Sequence, residues 1–300
     1  MPHLKQQPLV WILIFFWLNG SLIAMAHDPF KPGALPVTTV READRWLDEE
    51  EAKHGVFPSS PSPEPHLRQV DRLIALMTKH WEKLDRKCDP DTAFALTYLI
   101  TTVGIRNAIA GNFFEDGPHL ALIQVAFAAL YFQAYEQGPR ASAPWAAALN
   151  ASKSGWTSIT EDVLLGMNAH INYNLAIVMA VLGIRAEDGT SRKPDHNRVN
   201  TVLKSVYPEI EEQLNSLYGK PIISGGLGDL LLGLISIWRE NAWTNAVILT
   251  KLKESSHRNL HDHMLQLSSS QFAKGLILPK RGKTAKKRLR ACFERKPSGR

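Results

Sequence analysis

Four polar side chains interrupt a long uncharged stretch of the sequence. Residues 163–182 carry no formal charge, yet they include one histidine and three asparagines. A buried imidazole or amide destabilises a protein unless it has a hydrogen-bond partner. Such groups can hold a small ligand, and a histidine can also act as a general base or bind a metal. The stretch is therefore the candidate site, with His170 as the catalytic group and Asn168, Asn172 and Asn174 as ligand-binding residues.

A second polar cluster occurs at 238–243, where two tryptophans bracket an arginine and a glutamate on an otherwise apolar helical segment. Arg239 and Trp243 are expected to contact a ligand next to His170, with the guanidinium stacked on an indole ring. Glu240 is expected to face the ligand as the acid/base partner of His170. The alternative is an Arg–Glu pair that locks two helices together, with the tryptophan rings in the core.

A divalent metal is the cofactor that these residue types would favour. A histidine and an acid at i, i+4 on one helix can bind the same metal, but the residue four positions after His170 is Asn174, whose amide oxygen is a poor zinc ligand. Asp195 and His119 are candidates to complete a site with His170. No serine-hydrolase elbow, zincin, phosphate-loop, dinucleotide or Cys-x-x-Cys motif occurs, so those functions lack support.

The candidate site lies on a helix predicted over 157–182. Ser158 and Glu161 form a capping box at its start, and Gly183 ends it. Because its polar groups face two sides, we expect a central helix packed all round; the alternative is a membrane span, which the four polar side chains disfavour. Further helices are predicted over 66–87, 91–108, 117–136, 195–217, 227–254 and 256–272. No long period-two alternation occurs, so the fold class is all-α, a single multi-helix bundle with a buried central helix.

The amino terminus predicts export. Lys5 precedes an apolar run over 9–18, and Ala-Met-Ala at 24–26 matches a signal-peptidase site. Residues 1–26 are therefore predicted to be a cleaved signal peptide, which places the protein in the periplasm or outside the cell. The alternative is an uncleaved inner-membrane anchor over 9–26. The chain has only two cysteines, so no disulfide framework is predicted.

Two flanking segments surround the predicted all-α domain at 66–273. Residues 27–65 are rich in proline and predicted to form an arm on the domain surface, with one short acidic helix over 39–53. Residues 274–300 are predicted to be a basic disordered tail, and this tail accounts for the formal net charge of +6. It could contact anionic partners, but with one aromatic residue, Phe293, it predicts no specific nucleic-acid binding.

The motif around the histidine resembles a known family. Gly-Met-Asn-Ala-His-Ile-Asn-Tyr-Asn-Leu at 166–175 is similar to G-M-N-A-H-I-N-x-D-L, the hallmark of the bacterial family of unknown function numbered 5995. The resemblance implies a helical fold and no particular chemistry. Asn174 stands where the family usually has aspartate, which removes a possible metal ligand. Further similarity extends over 113–116, 127–132, 195–202 and 238–243.

Two functions of different class are compatible with these features. The first is an exported helical protein whose buried His/Asn site binds an unknown small molecule, or hydrolyses it with the help of a metal. The second is a non-catalytic envelope protein in which the polar centre is structural and the basic tail contacts anionic partners.

Overall fold

The computed structural model describes residues 28–56, 61–155, 157–218 and 227–277. The predicted signal peptide and nearly all of the predicted basic tail lie outside these ranges. Within them the chain is helical, and its extended pairing is one isolated bridge between Arg185 and Ser191. The predicted all-α fold class is confirmed. The helices are α1 Val40–His54, α2 Pro65–Arg86, α3 Thr92–Ala110, α4 Gly117–Gln137, α5 Ala143–Ser154, α6 Ile159–Met167, α7 Leu175–Leu182, α8 Lys193–Tyr218, α9 Leu227–Lys251 and α10 Ser255–Leu276.

The predicted helices match the observed ones closely, but α5 was missed. It starts at Ser142-Ala-Pro144, with serine as the N-cap and proline in the first turn, a recognised helix-start signal. The helix is short and alanine-rich, so its hydrophobic periodicity is weak. At the far end of the domain, α10 continues to Leu276, four residues beyond the predicted helix end at 272.

The central helix is built as predicted at both ends. The Ser158 hydroxyl accepts a hydrogen bond from the Glu161 N–H, and the Glu161 carboxylate accepts one from the Ser158 N–H. Gly183, at φ 97°, ends α7. Among the described residues, α3 and the helix through α6 and α7 are long and apolar enough to cross a membrane, but 61% and 78% of their apolar windows are buried. That degree of burial is typical of core helices.

The proline-rich arm contributes to the core instead of lying on the surface. Its acidic helix, α1, forms where the sequence predicts it. Leu35, Val37 and Leu47 are buried in the main hydrophobic cluster, and α1 packs against α2 and α4. Asp28 accepts two hydrogen bonds from Arg258 of α10, at 2.8 and 2.7 Å. Burying these apolar side chains holds the arm on the bundle.

Cys88, which follows α2, is disulfide-bonded. No disulfide framework is predicted from the sequence, because the chain has only two cysteines and the second lies in the basic tail. The other cysteine, Cys292, lies outside the described residues.

Candidate functional site

The histidine motif forms a π-helical segment, Asn168–Asn174, between α6 and α7. At its end the Leu175 N–H donates to the His170 carbonyl five residues earlier. Short π-helical insertions in α-helices are frequent at functional sites. The polar side chains of this segment point in different directions: Asn168 reaches α10, Asn174 reaches α5, and His170 lies between α3 and α4.

The three asparagines differ from the histidine in having hydrogen-bond partners, and two of them, Asn168 and Asn174, are tied to neighbouring helices. Asn168 is fully buried, and its Nδ2 donates to the Ser269 carbonyl of α10 at 2.8 Å. Its Oδ1 accepts from Asn172 Nδ2 at 3.1 Å. Asn174 Oδ1 accepts from Trp145 Nε1 of α5 at 3.1 Å. These amides join the π-helical segment to α10 and α5, and none of them lines the cavity beside His170.

His170 points between α3 and α4 and is only 3% exposed. Its ring stacks on Phe127 of α4, with centroids 3.3 Å apart and planes 9° apart, and meets the edge of Tyr98 of α3 at 4.4 Å. Among the described residues, neither ring nitrogen has a hydrogen-bond partner, and neither does the Tyr98 hydroxyl. Burial lowers the pKa of His170 well below its ordinary value, so the imidazole is neutral at pH 7.

An internal cavity of about 90 Å³ lies against His170. This volume is several times the roughly 10–15 Å³ that a single water needs. The wall is mainly apolar and is formed by α3, α4, the π-helical segment, α7, α8 and α9. Polar groups gather where α8 approaches α9 and α4. Those that line the cavity there are His119, Arg192, His196, Arg239 and Trp243.

Arg239 is a buried cation at this polar end, 6% exposed. Its Nη2 donates to the His196 carbonyl at 2.5 Å, while His196 Nε2–H donates to the Arg239 carbonyl at 3.0 Å. Burial lowers the pKa of Arg239 to about 10, so it stays charged at pH 7. Burial, followed by the charge of Arg239, lowers the pKa of His196 to about 2, so that ring is neutral.

Glu240 does not lie beside His170, which corrects its predicted position in the buried centre. Its side chain is 61% exposed and forms an ion pair with Lys193 of α8. Successive residues of an α-helix point about 100° apart, so Arg239 faces inward while Glu240 faces solvent. The predicted Arg–Glu pair is also not formed, because each partner binds α8 separately.

Trp243 lines the cavity as predicted, but its cation contact differs from the expected one. Lys193 Nζ lies 5.0 Å from the centroid of the indole, and the His196 ring lies 5.2 Å from it. No cation–π contact joins Trp243 to Arg239 within the part of the chain that is described. The partly buried indole therefore separates the cavity from the surface cation Lys193.

Asp195 and His119, the residues predicted to complete a metal site with His170, have different surroundings in the structure. Asp195 accepts hydrogen bonds from the Glu115 and Asp116 N–H groups, at 2.9 and 2.8 Å, and from Arg198. His119 lines the cavity, and burial with the nearby Arg192 lowers its pKa to about 4. Across 28–56, 61–155, 157–218 and 227–277, no three His, Cys, Asp or Glu residues are grouped to hold a metal ion. The predicted ligand set is therefore not assembled by these residues.

The aromatic groups around His170 were missed from the sequence. Tyr98 and Phe127 lie on helices that are apolar on nearly all sides, where a ring at helical spacing predicts only core packing. Gly166 of the motif was not assigned a role either. A Cβ at this position would overlap the ring of Phe94, so the glycine allows α3 to approach the central helix closely.

The fold and site together define an all-α bundle with an internal, mainly apolar cavity that contains a buried histidine and a buried arginine. The chain belongs to the Family of unknown function (DUF5995), whose model matches residues 70–279. The match covers the bundle from α2 to α10 and confirms the family that the sequence resembles. No curated protein and no solved structure matches the chain.

Proposed function

We propose that this protein binds a small organic molecule in the cavity beside His170. The observation that carries the proposal is that a buried imidazole faces a cavity, with both ring nitrogens unpaired within the part of the chain that the structure describes. An unpaired buried polar group is destabilising, and a ligand oxygen would remove that penalty. A neutral imidazole offers one donor and one acceptor, which matches a hydroxyl group or, through the donor alone, a carbonyl group.

The character of the ligand follows from the cavity wall. Phe94, Tyr98 and Phe127 surround His170 with aromatic rings, and the Tyr98 hydroxyl is a second unpaired polar group. Ligand cavities typically combine an apolar wall with a few polar groups that orient the ligand. The expected ligand is therefore largely apolar, with at least one hydroxyl or carbonyl oxygen.

Binding is better supported than metal-assisted hydrolysis. The acid predicted to assist His170, Glu240, is exposed and paired with Lys193. The metal-ligand candidates do not cluster in the described ranges, and Asp195 holds the backbone at the start of α4. The remaining polar groups of the cavity can orient a ligand without a nucleophile or a metal.

A binding measurement with matched variants tests this proposal. The purified full chain is titrated calorimetrically with dodecan-1-ol, a neutral apolar probe with one hydroxyl. We expect binding to the wild type and a loss of roughly two- to tenfold in affinity for His170→Phe, which keeps the aromatic ring but removes the nitrogens. Asn172→Ala, outside the cavity, should bind like the wild type. Equal affinity of the wild type and His170→Phe, or no binding to the wild type, would contradict the proposal.

Export to the periplasm or beyond the cell is part of the proposed function. It is supported by the signal-like segment at 1–26, where a basic residue precedes an apolar run and a signal-peptidase site. Amino-terminal sequencing of the protein from fractionated cells should give a mature chain that starts at His27. An intact amino terminus in the membrane fraction would support the anchor over 9–26 instead.

A further inference from the structure

The charge of Arg239 is the feature of the cavity that binding through His170 does not use. Two arginines line the polar end, and they differ in whether a carboxylate neutralises their positive charge. Arg192 donates from Nε and Nη2 to the Asp116 carboxylate at 3.0 Å. Arg239 contacts only the His196 carbonyl and ring, its Nε is unpaired, and no carboxylate in the described part of the chain forms an ion pair with it.

Neighbouring groups do not neutralise this charge. His196 is neutral, because its Nε2–H donates to the Arg239 carbonyl and its Nδ1 lies 3.3 Å from Arg239 Nη2. Glu240 is paired with Lys193 on the outer face. A buried charge without a counter-ion is strongly unfavourable, whereas hydrogen bonds between a guanidinium and a carboxylate are among the strongest in proteins. A carboxylate that enters the cavity would be the missing counter-ion.

The apolar part of the ligand has room along α8. A second cavity, of about 50 Å³, lies next to the first, and the same four side chains line both. One face of α8 forms a wall of both cavities. It extends from His196 to Leu214, which is about 27 Å at 1.5 Å per residue. Met167 is a flexible side chain that can move aside to join the cavities. The four shared residues are Thr101, Met167, Leu203 and Ile235.

We infer that the ligand is an amphipathic organic acid, whose carboxylate binds Arg239 and whose chain extends along α8 past Met167. The inference rests on the proposed function, since it assigns the ligand class of the same cavity. The anion is held by the guanidinium at the polar end, while the chain takes the place of solvent or void between α3, α8 and α9. His170 remains available for an oxygen on the chain.

Paired probes of equal chain length test the charge. Dodecanoate and dodecan-1-ol are titrated into the full chain below their aggregation concentrations. We expect the wild type to prefer the acid by roughly tenfold or more, because a charged hydrogen bond is stronger than a neutral one. Arg239→Gln, which can still donate to the His196 carbonyl, should abolish the preference, and Arg239→Lys should retain part of it. Arg185→Gln, at an exposed arginine, is the control and should behave as the wild type.

The outcomes separate the two claims. If the wild type binds both probes equally, or if Arg239→Gln keeps the preference, the organic-acid inference is wrong while binding in the cavity stands. If neither probe binds the wild type, the proposed function itself fails. The comparison of the two probes in the wild type remains valid even if a variant fails to fold.

A chain-length series tests the route past Met167. We expect affinity to increase from hexanoate to dodecanoate by up to about fourfold for each added methylene, because each methylene buries more apolar area. Met167→Phe places a rigid ring between the cavities and should reduce the gain from hexanoate to dodecanoate by at least fivefold, with little effect on hexanoate. An unchanged gain would show that the chain does not pass Met167.

Discussion

Asn168 and His170 lie two residues apart in the π-helical segment, and both are buried, but their surroundings are opposite. Asn168 is bonded to Ser269 and Asn172, so its burial is compensated by the protein. The ring of His170 has no hydrogen-bond partner in the described ranges and faces a cavity. Burial of a polar group therefore does not by itself indicate a site. An unpaired polar group beside a cavity is the stronger indication.

The same contrast occurs between neighbours on α9. Arg239 is buried at the cavity without a carboxylate partner among the described residues, whereas Glu240 is exposed and paired with Lys193. In each pair, Asn168 with His170 and Glu240 with Arg239, the first residue is paired within the protein and the second is free to bind a ligand. Variants of the two kinds should therefore respond differently in stability and in binding.

The largest effect on stability is expected for Asn168→Ala. The change creates a cavity at a fully buried position and removes the hydrogen bonds of Asn168 with the Ser269 carbonyl and the Asn172 amide, so the free energy of unfolding should fall by about 2–4 kcal/mol. Urea unfolding monitored by circular dichroism measures it. Asn172→Ala, at a partly buried residue, is the control and should cost less than about 1 kcal/mol. A small effect of Asn168→Ala would remove the contrast with His170.

The next largest effect is expected for Gly166→Ala. The added methyl group overlaps the Phe94 ring, and such overpacking destabilises by about 1–3 kcal/mol. Gly233→Ala is the matched control, because nothing lies within 4 Å of its Cβ position in α9. That control should be neutral or stabilising by up to about 1 kcal/mol, since alanine favours helix over glycine. Equal responses at the two glycines would contradict the close approach of α3.

The acid dependence of stability should sharpen the role of His170. Its pKa is lowered in the folded state, so the unfolded state binds the proton more tightly, and stability falls once the pH drops below about 6.5. Other buried histidines add to this loss in the wild type. Comparing the wild type with His170→Phe isolates the single group: between pH 6 and 5 the variant should gain about 1 kcal/mol relative to the wild type. A constant difference between the two proteins over that range would show that His170 does not resist protonation.

The smallest effect on stability is expected for His170→Phe at pH 7.5. The ring stack with Phe127 is kept, the unpaired nitrogens are removed, and the cavity can accept the slightly larger ring. The free energy of unfolding should change by less than about 1 kcal/mol, or rise, as when strain or unpaired polarity at a site is relieved. A loss as large as that of Asn168→Ala would make His170 a structural residue.

The sequence predicted the long helices and the ends of the central helix, because caps and hydrophobic periodicity are local signals. It did not predict the π-helical segment, since the same residues fit an α-helical pattern and the widened turn depends on neighbours such as Trp145 and Ser269. His170, Arg239 and Trp243, which the sequence analysis grouped as ligand-contacting residues, all line the cavity. The cavity itself arises from helices distant in the sequence, and no local pattern encodes their spacing.

The position of Glu240 shows a different limit. Helical periodicity separates it from Arg239 by about 100°, so the two residues could not both face one narrow cavity. Arg239 and Glu240 were assigned to one site because they are adjacent in the sequence. The unpaired state of His170 and Arg239 was also beyond the sequence, since it depends on which groups the other helices bring within bonding distance.

The most direct test of the central claim is a crystal structure of the protein soaked with dodecan-1-ol labelled with bromine at the far end of its chain. We predict ligand density in the cavity, with the hydroxyl oxygen within hydrogen-bond distance of a His170 ring nitrogen and an anomalous bromine peak farther along α8. Ordered waters bonded to both His170 nitrogens, with no bromine peak in the cavity, would contradict the account and make the imidazole a solvated structural group.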